Sequence, residues 1–198
     1  MIIALIGSHG TGKTTIFNII KDKYPKFQYF SEPTRHQTTA LGYNSPYEIV
    51  EKFGIGTFEL MNINSWSVID PKINTTLDIN RPIITDRSAL DNYSYYLTLR
   101  NSEYDFYTAD LIKEMTKYYC SLIDLFIYFP VGIFELVGDE MRIDNTKHQI
   151  DVDNNLVLAF KELDIPKSKV YTLKSISIND RTNEILKLIE AVTNNNVL

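Results

Sequence analysis

Eight consecutive residues near the amino terminus, Gly7-Ser8-His9-Gly10-Thr11-Gly12-Lys13-Thr14, constrain this chain more than anything else in it. They follow an apolar run, Ile2-Ile3-Ala4-Leu5-Ile6, that reads as a buried strand. They precede Thr14 to Tyr24, where Ile16, Phe17, Ile19 and Ile20 have helical spacing and Pro25 marks a stop. Gly-x-x-x-x-Gly-Lys-[Ser/Thr] between a strand and a helix is a phosphate cradle. The glycines let the backbone turn tightly, so that successive N–H groups and the helix start point at negative charge. Gly7, His9, Gly10, Thr11, Gly12, Lys13, Thr14 and Thr15 are therefore the expected nucleotide contacts. Lys13 reaches the β- and γ-phosphates, and the Thr14 hydroxyl binds Mg²⁺.

The rest of the chain narrows the setting. With 198 residues, 44% of them hydrophobic, it suits one α/β domain spanning 1–198. A net charge of −5 lacks the overall basic footprint of a protein that grips long nucleic acid, although a local basic groove stays open at Lys21, Lys23 and Lys26. Cys120 is the single cysteine, and His9, His36 and His148 are scattered. Neither a disulfide framework nor a zinc site is expected. No apolar run approaches the roughly 20 residues of a membrane span, and no signal-peptide layout follows Met1, so a soluble cytoplasmic protein with no membrane partner is expected. A homodimer is admitted by the sequence without being specified by it.

Short apolar runs at Ile2 to Ile6, Phe27 to Ser31, Pro82 to Thr85, Leu122 to Phe129 and Lys169 to Leu173 read as strands, with helical patterns between them. That alternation predicts an α/β fold: a parallel five-stranded sheet flanked by helices, its ligands beyond the carboxyl ends of the strands. Ile185, Leu188, Ile189 and Val192 give a last helix with a packing stripe. The segment from Glu32 to Asn80 is expected to form helices over the sheet edge on the substrate side. Its Tyr43, Tyr47, Phe53, Phe58 and Trp66 suit a core better than a stacking platform, and Gly54 and Gly56 mark a flexible or closely packed point.

Two strand ends carry chemistry. Ile83-Ile84-Thr85-Asp86-Arg87-Ser88 puts a carboxylate and a guanidinium side by side at the ligand edge. Asp86 can hold Mg²⁺ through water or accept a substrate proton, while Arg87 can bind phosphate bidentately. The competing reading is a helix cap, for which Asp86 and Ser88 are both suited. At Glu32-Pro33-Thr34-Arg35 the proline turns the chain out of the strand and holds Glu32 at its tip. There a carboxylate can take the proton of an attacking hydroxyl, and Arg35 either binds a substrate phosphate or pairs with a nearby acid.

The combination of Gly7 to Thr14, Glu32-Pro33 with Arg35, and Asp86-Arg87-Ser88-Ala89-Leu90-Asp91 with Tyr95 resembles the P-loop kinase group. Within it the similarity is to small phage and bacterial ATP-dependent kinases related to the nicotinamide riboside kinase domain, and to thymidylate and deoxynucleoside kinases. It covers Met1 to about Leu173. The resemblance implies the P-loop NTPase fold with ATP as donor. It also implies Glu32 as the base at the acceptor hydroxyl, Asp86 assisting Mg²⁺ or that hydroxyl, and Arg87 holding the acceptor or the transferring phosphate. Asp91 and Tyr95 continue the pattern, Asp91 as an acceptor-side or structural residue. A lid is implied at about 131–149, with Arg142 on the transferring group. Related lids carry a second arginine where this chain has Lys147, His148 and Gln149. The loop Lys174 to Ser177 is where adenine rests in this fold. Val152, Leu156 and Phe160 then face inward from the helix after the lid, which Ile165-Pro166 ends.

The leading expectation is an ATP- and Mg²⁺-dependent phosphotransferase acting on a small nucleoside or (deoxy)nucleoside monophosphate. A polynucleotide or modified-base DNA kinase is the second reading, and the acidic net charge weighs against it. A P-loop switch or motor without an acceptor is the third. The chain has no Asn-Lys-x-Asp guanine reader, and its fourth strand runs Phe126-Ile127-Tyr128-Phe129-Pro130 without the acidic pair of many motors.

Overall fold

The computed structural model describes residues 1–100, 106–132 and 146–194. Five parallel strands form one sheet: β1 (Ile2–Ile6), β2 (Gln28–Phe30), β3 (Ile83–Asp86), β4 (Leu125–Tyr128) and β5 (Val170–Thr172), in the order β2-β3-β1-β4-β5. β1 lies at the centre, buried and apolar on both faces throughout. Ile3 and Leu5 face one helical layer, and Ile2, Ala4 and Ile6 face the other. Its register sets Leu5 beside Asp86 of β3 and Ile6 beside Tyr128 of β4. The strand tips from which Gly7, Arg87 and Phe129 emerge are therefore neighbours.

One face is covered by α1 (Lys13–Lys23) and α8 (Ile178–Asn194), through Ile16, Phe17, Ile20, Ile185 and Ile189. The other is covered by α5 (Ala89–Leu99), α6 (Phe106–Ser121) and α7 (Thr146–Glu162). Three short helices, α2 (Pro33–Ala40), α3 (Pro46–Phe53) and α4 (Ile55–Ser65), form a shoulder beyond β2. Among them α4 packs on α5 and α6. Gly54, at φ 81°, breaks α3 from α4. Gly56 lies inside α4, where an added Cβ would come within 3.0 Å of Thr108 Cγ2. Close packing against α6, not flexibility, is what that glycine serves.

Four strands are shorter or shifted relative to their apolar runs, β5 by one residue at each end. Leu122 and Ile123 do not join β4, because their N–H groups are taken by Tyr119 and Cys120 carbonyls at the end of α6. β2 is three residues long. β3 starts at Ile83 and runs on to Asp86, so the acid belongs to the strand itself. No helix among the described residues is long and apolar enough to cross a membrane.

Candidate active site

The cradle forms where β1 ends. Gly7 leaves the strand at φ 143°, and a Cβ there would lie 2.5 Å from the Phe129 carbonyl oxygen, so β4 excludes any side chain. Gly12, at φ 84°, turns the chain into α1. Lys13 is buried, and its Nζ donates to the Ser8 carbonyl at 2.6 Å and to Thr11 Oγ1 at 3.0 Å. Burial, reinforced by the nearby Arg87 guanidinium, pulls the Lys13 amine down to about 7, against the opposing pull of Asp91, Asp86 and Glu32. Thr14 and Thr15 are exposed at the start of α1. The Thr14 hydroxyl donates to Asp86 Oδ2 at 2.7 Å. The other oxygen, Asp86 Oδ1, is buried without a hydrogen-bond partner among the described residues. A hydroxyl beside an under-satisfied carboxylate oxygen, at the mouth of a phosphate loop, is a donor set that fits hydrated Mg²⁺.

Arg87 is held harder than any other residue of the site. Its backbone adopts φ 76°, the left-handed region that residues other than glycine rarely enter. Three contacts fix it there. Its N–H donates to the Leu5 carbonyl at 2.9 Å, Thr85 Oγ1 donates to its carbonyl at 2.7 Å, and its Nε meets Glu32 Oε1 at 2.9 Å. The guanidinium also lies 3.7 Å from Asp91 and over the Tyr95 ring at 5.4 Å. Burial works against its charge, but Glu32 and the other nearby acids keep its pKa well above the ordinary value. Glu32 is the N-cap residue of α2 with Pro33 in the first turn. Its carboxylate does not cap that helix and turns across to Arg87 instead.

Asp91 is a buttress. Its Oδ1 accepts the Gly7 N–H at 2.9 Å, and its Oδ2 accepts from Ser88 N at 2.9 Å and Ser88 Oγ at 3.1 Å. Those bonds complete a capping box at the start of α5 and lock it to the phosphate loop. Asp91 is 1% exposed and does not line the cleft described next. Ser88, not Asp86, is thus the helix cap that the sequence allowed for both.

A cleft with a cavity volume of about 80 Å³ opens between the phosphate loop, α5 and the α2–α4 shoulder. Glu32, Arg87, Arg35 and Thr34 edge it, Val50, Ile55, Phe58 and Leu99 give it apolar walls, and His9, Tyr95 and His148 close one end. His9 Nδ1 and the Tyr95 hydroxyl are 3.0 Å apart, and the His9 carbonyl accepts Gln149 Nε2–H at 2.7 Å, so the loop is tied to α7. Of the segment's aromatics, Phe58 and Tyr47 line the cleft and Trp66 is core. Phe53 is exposed and meets Tyr43 edge to face. Arg35 is exposed at the mouth. Arg142 and most of the expected lid, 133–145, lie outside the described residues.

Two site elements escaped the sequence reading. Glu59 on α4 is buried in the cleft wall, accepting from Asn62 and Asn92. Burial pushes its carboxyl up to about 8, against those hydrogen bonds. Its local signal was slight: it is the one charged residue in α4. Arg181 on α8 is fully buried and donates to the Thr11 carbonyl at 3.0 Å and the Ser175 carbonyl at 2.8 Å. It joins the phosphate loop to the loop after β5, which is also held by Glu184 through the Lys174 and Ser175 N–H groups. Nothing in the local sequence marks Arg181.

No protein-family model matches the chain, and no curated protein matches its sequence. Solved structures do resemble it. Deoxyadenosine kinase from M. mycoides, with products dCMP and a flexible dCDP bound, is 18% identical with a TM-score of 0.63, over 97% of this chain and 100% of that one. Thymidylate kinase from Candida albicans is 16% identical with a TM-score of 0.66, over 98% and 92%. NadR protein in complex with NR is 12% identical with a TM-score of 0.67, over 96% of this chain, which spans about half of NadR (48%). At such identities the likeness shows the fold. The chain has the α/β fold of the P-loop nucleoside and nucleotide kinases, the group its motifs resemble.

Proposed function

We propose that this chain is an ATP- and Mg²⁺-dependent kinase that phosphorylates a hydroxyl of a small nucleoside. One observation carries the reading. The Glu32 carboxylate, oriented by Arg87 at 2.9 Å, edges a cleft with apolar walls that begins at the phosphate loop itself. A switch or motor has no use for a second cleft beside its triphosphate, and a phosphoryl acceptor needs one.

In this reading Lys13 and the loop N–H groups hold the β- and γ-phosphates, and Thr14 with Asp86 holds Mg²⁺. Bound Mg²⁺ neutralises charge on the phosphate oxygens. The acceptor oxygen bonds to the γ-phosphorus as the bond to the ADP oxygen breaks, and Glu32 takes the hydroxyl proton. Arg87 aligns Glu32 and sits against the charge that builds on the transferring group. Asp91 acts by holding Gly7 and Arg87, and Arg142, in a lid at about 131–149, is assigned the closing arginine. The whole of 1–198 forms one kinase domain with its acceptor side at about 32–80. A monophosphate acceptor is the second reading, favoured by Arg35 at the mouth of the cleft.

The test is transfer from γ-labelled ATP, with Mg²⁺, to nucleosides, their monophosphates and oligonucleotides. Labelled nucleoside monophosphate is the expected product, and labelled diphosphate would shift the reading to the monophosphate acceptor. Free phosphate with no labelled acceptor would overturn it in favour of a hydrolase.

A further inference from the structure

A trans peptide sets its C=O and its N–H in opposite directions, so whatever holds a carbonyl of the phosphate loop also aims the N–H of the residue that follows. Two carbonyls of this loop are held by side chains from helices remote in sequence. Gln149 on α7, 4% exposed, donates from Nε2 to the His9 carbonyl at 2.7 Å, across 140 residues. Arg181 on α8, wholly buried, donates from Nη1 to the Thr11 carbonyl at 3.0 Å, across 170 residues. The two helices cover opposite faces of the sheet. The Gly10 N–H is therefore turned away from α7 and the Gly12 N–H away from α8, so that both face the hollow of the loop from its two sides. Neither N–H donates to a protein group among the described residues.

We propose that Gln149 and Arg181 are positioning residues for the donor's phosphate chain: by fixing the His9 and Thr11 carbonyls they present the Gly10 and Gly12 N–H groups to its oxygens. The proposal rests on the phosphate-holding part of the kinase reading and adds to it two side chains that act through the backbone. Both are costly to bury, since an amide and a guanidinium lose their water and are compensated here by bonds to carbonyls. Arg181 is also pinned, because its Nε donates to the Ser175 carbonyl at 2.8 Å and its guanidinium lies over the Phe129 ring at 5.7 Å. A third carbonyl, that of Ser8, is held inside the loop by Thr11 Oγ1 at 2.9 Å and by Lys13, which leaves it to reach a phosphate. With these three carbonyls tied down, the loop cannot turn them toward an anion, where they would repel it.

Inorganic tripolyphosphate is the probe, since it carries neither a base nor an acceptor. In protein labelled with ¹⁵N-glycine, its addition with Mg²⁺ is expected to move the Gly10 and Gly12 amide signals and to leave those of Gly42 and Gly54, on the shoulder, in place. Gln149→Met keeps the length and removes the donor. It should weaken tripolyphosphate binding about tenfold or more and reduce the Gly10 response while the Gly12 response persists. Arg181→Met should do the reverse, with the Gly12 response reduced and the Gly10 response kept. A merely structural role would weaken both together. If Arg181→Met does not fold, Arg181→Lys, which keeps the charge without the planar fork, is measured in its place with the same expectation. Equal loss of both responses in every folded variant, or unchanged affinity, overturns the proposal and leaves the kinase reading standing. Wild-type protein that binds no tripolyphosphate overturns both. Crossed losses with no transfer from ATP to any acceptor would sink the kinase reading and support this one.

Discussion

The two walls of the cleft are built on opposite plans. On the phosphate side, Gly7, Arg87, Ser88 and Asp91 share a buried lattice of short bonds anchored on β1, β3 and α5. On the acceptor side, α2, α3 and α4 are short, broken by glycines, and put Leu41, Tyr47 and Phe53 into solvent. There the Glu59, Asn62, Asn92 and Trp66 cluster is braced to a comparable degree. The difference teaches a division of labour. On the proposed kinase reading, chemistry common to many acceptors would be held by the sheet, and what distinguishes one acceptor from another would be left to a peripheral shoulder that can change without disturbing the sheet.

Substitutions on the two walls should break that contrast in different ways. The largest effect is expected from Glu32→Gln, which removes the base but keeps the shape: kcat falls roughly 10²- to 10⁴-fold with acceptor binding little changed, read by steady-state kinetics. An equal loss in binding would make Glu32 a contact instead of a base. Next is Asp91→Ala, which leaves the buried Gly7 and Ser88 N–H groups without their acceptor and takes one of its two acids from Arg87. Denaturant unfolding should show a loss of roughly 3–5 kcal/mol, far beyond any single change on the shoulder surface.

Glu59 gives the third effect, and its sign is specific. Its folded pKa of about 8 lies above the ordinary 4.5, so the folded state keeps a proton that the unfolded chain releases between those values. Stability from this group is fully present below pH 4.5 and is lost as the pH rises to 8, at about 1.4 kcal/mol per unit of displacement. Glu59→Gln does not titrate, so its melting temperature relative to wild type should climb from pH 5 to pH 8. A constant difference would place the carboxyl in an ordinary environment. Fourth, Lys13 with its amine near 7 should take up a proton when a triphosphate binds at pH 8, seen as a buffer-dependent heat in calorimetry. The smallest effect is on the rim: Lys52→Ala, whose amine lies 5.3 Å from the Phe53 ring centroid at the surface, should change stability by less than about 1 kcal/mol.

How much could be read beforehand follows the same division. β1 was legible to the residue, since a run apolar on both faces beside a glycine loop has one reading. Asp86, Arg87 and Glu32 were legible because strand ends in a parallel sheet converge on one edge. The Arg87–Glu32 bond was not, because it depends on a left-handed residue and on the angle at which α2 leaves β2. Glu32 to Ser65 blurred because three short helices overlap any single periodicity. Glu59 looks like a solvated acid until Asn92 and Trp66, 33 and 26 residues from their partners, close around it. Arg181 was hidden for the same reason: its partner Thr11 is 170 residues away.

The central place of β1 has a consequence for how such a chain comes into being. Ile2–Ile6 leaves the ribosome before the strands that flank it, which end at Asp86 and Tyr128. Until residue 128 has been made, these five apolar residues therefore wait without both neighbours, exposed to the chaperones that meet nascent chains. Competence to hold nucleotide arrives late, because the shape of the glycine turn is imposed by Phe129 and Asp91 and cannot be rehearsed by the nascent amino terminus.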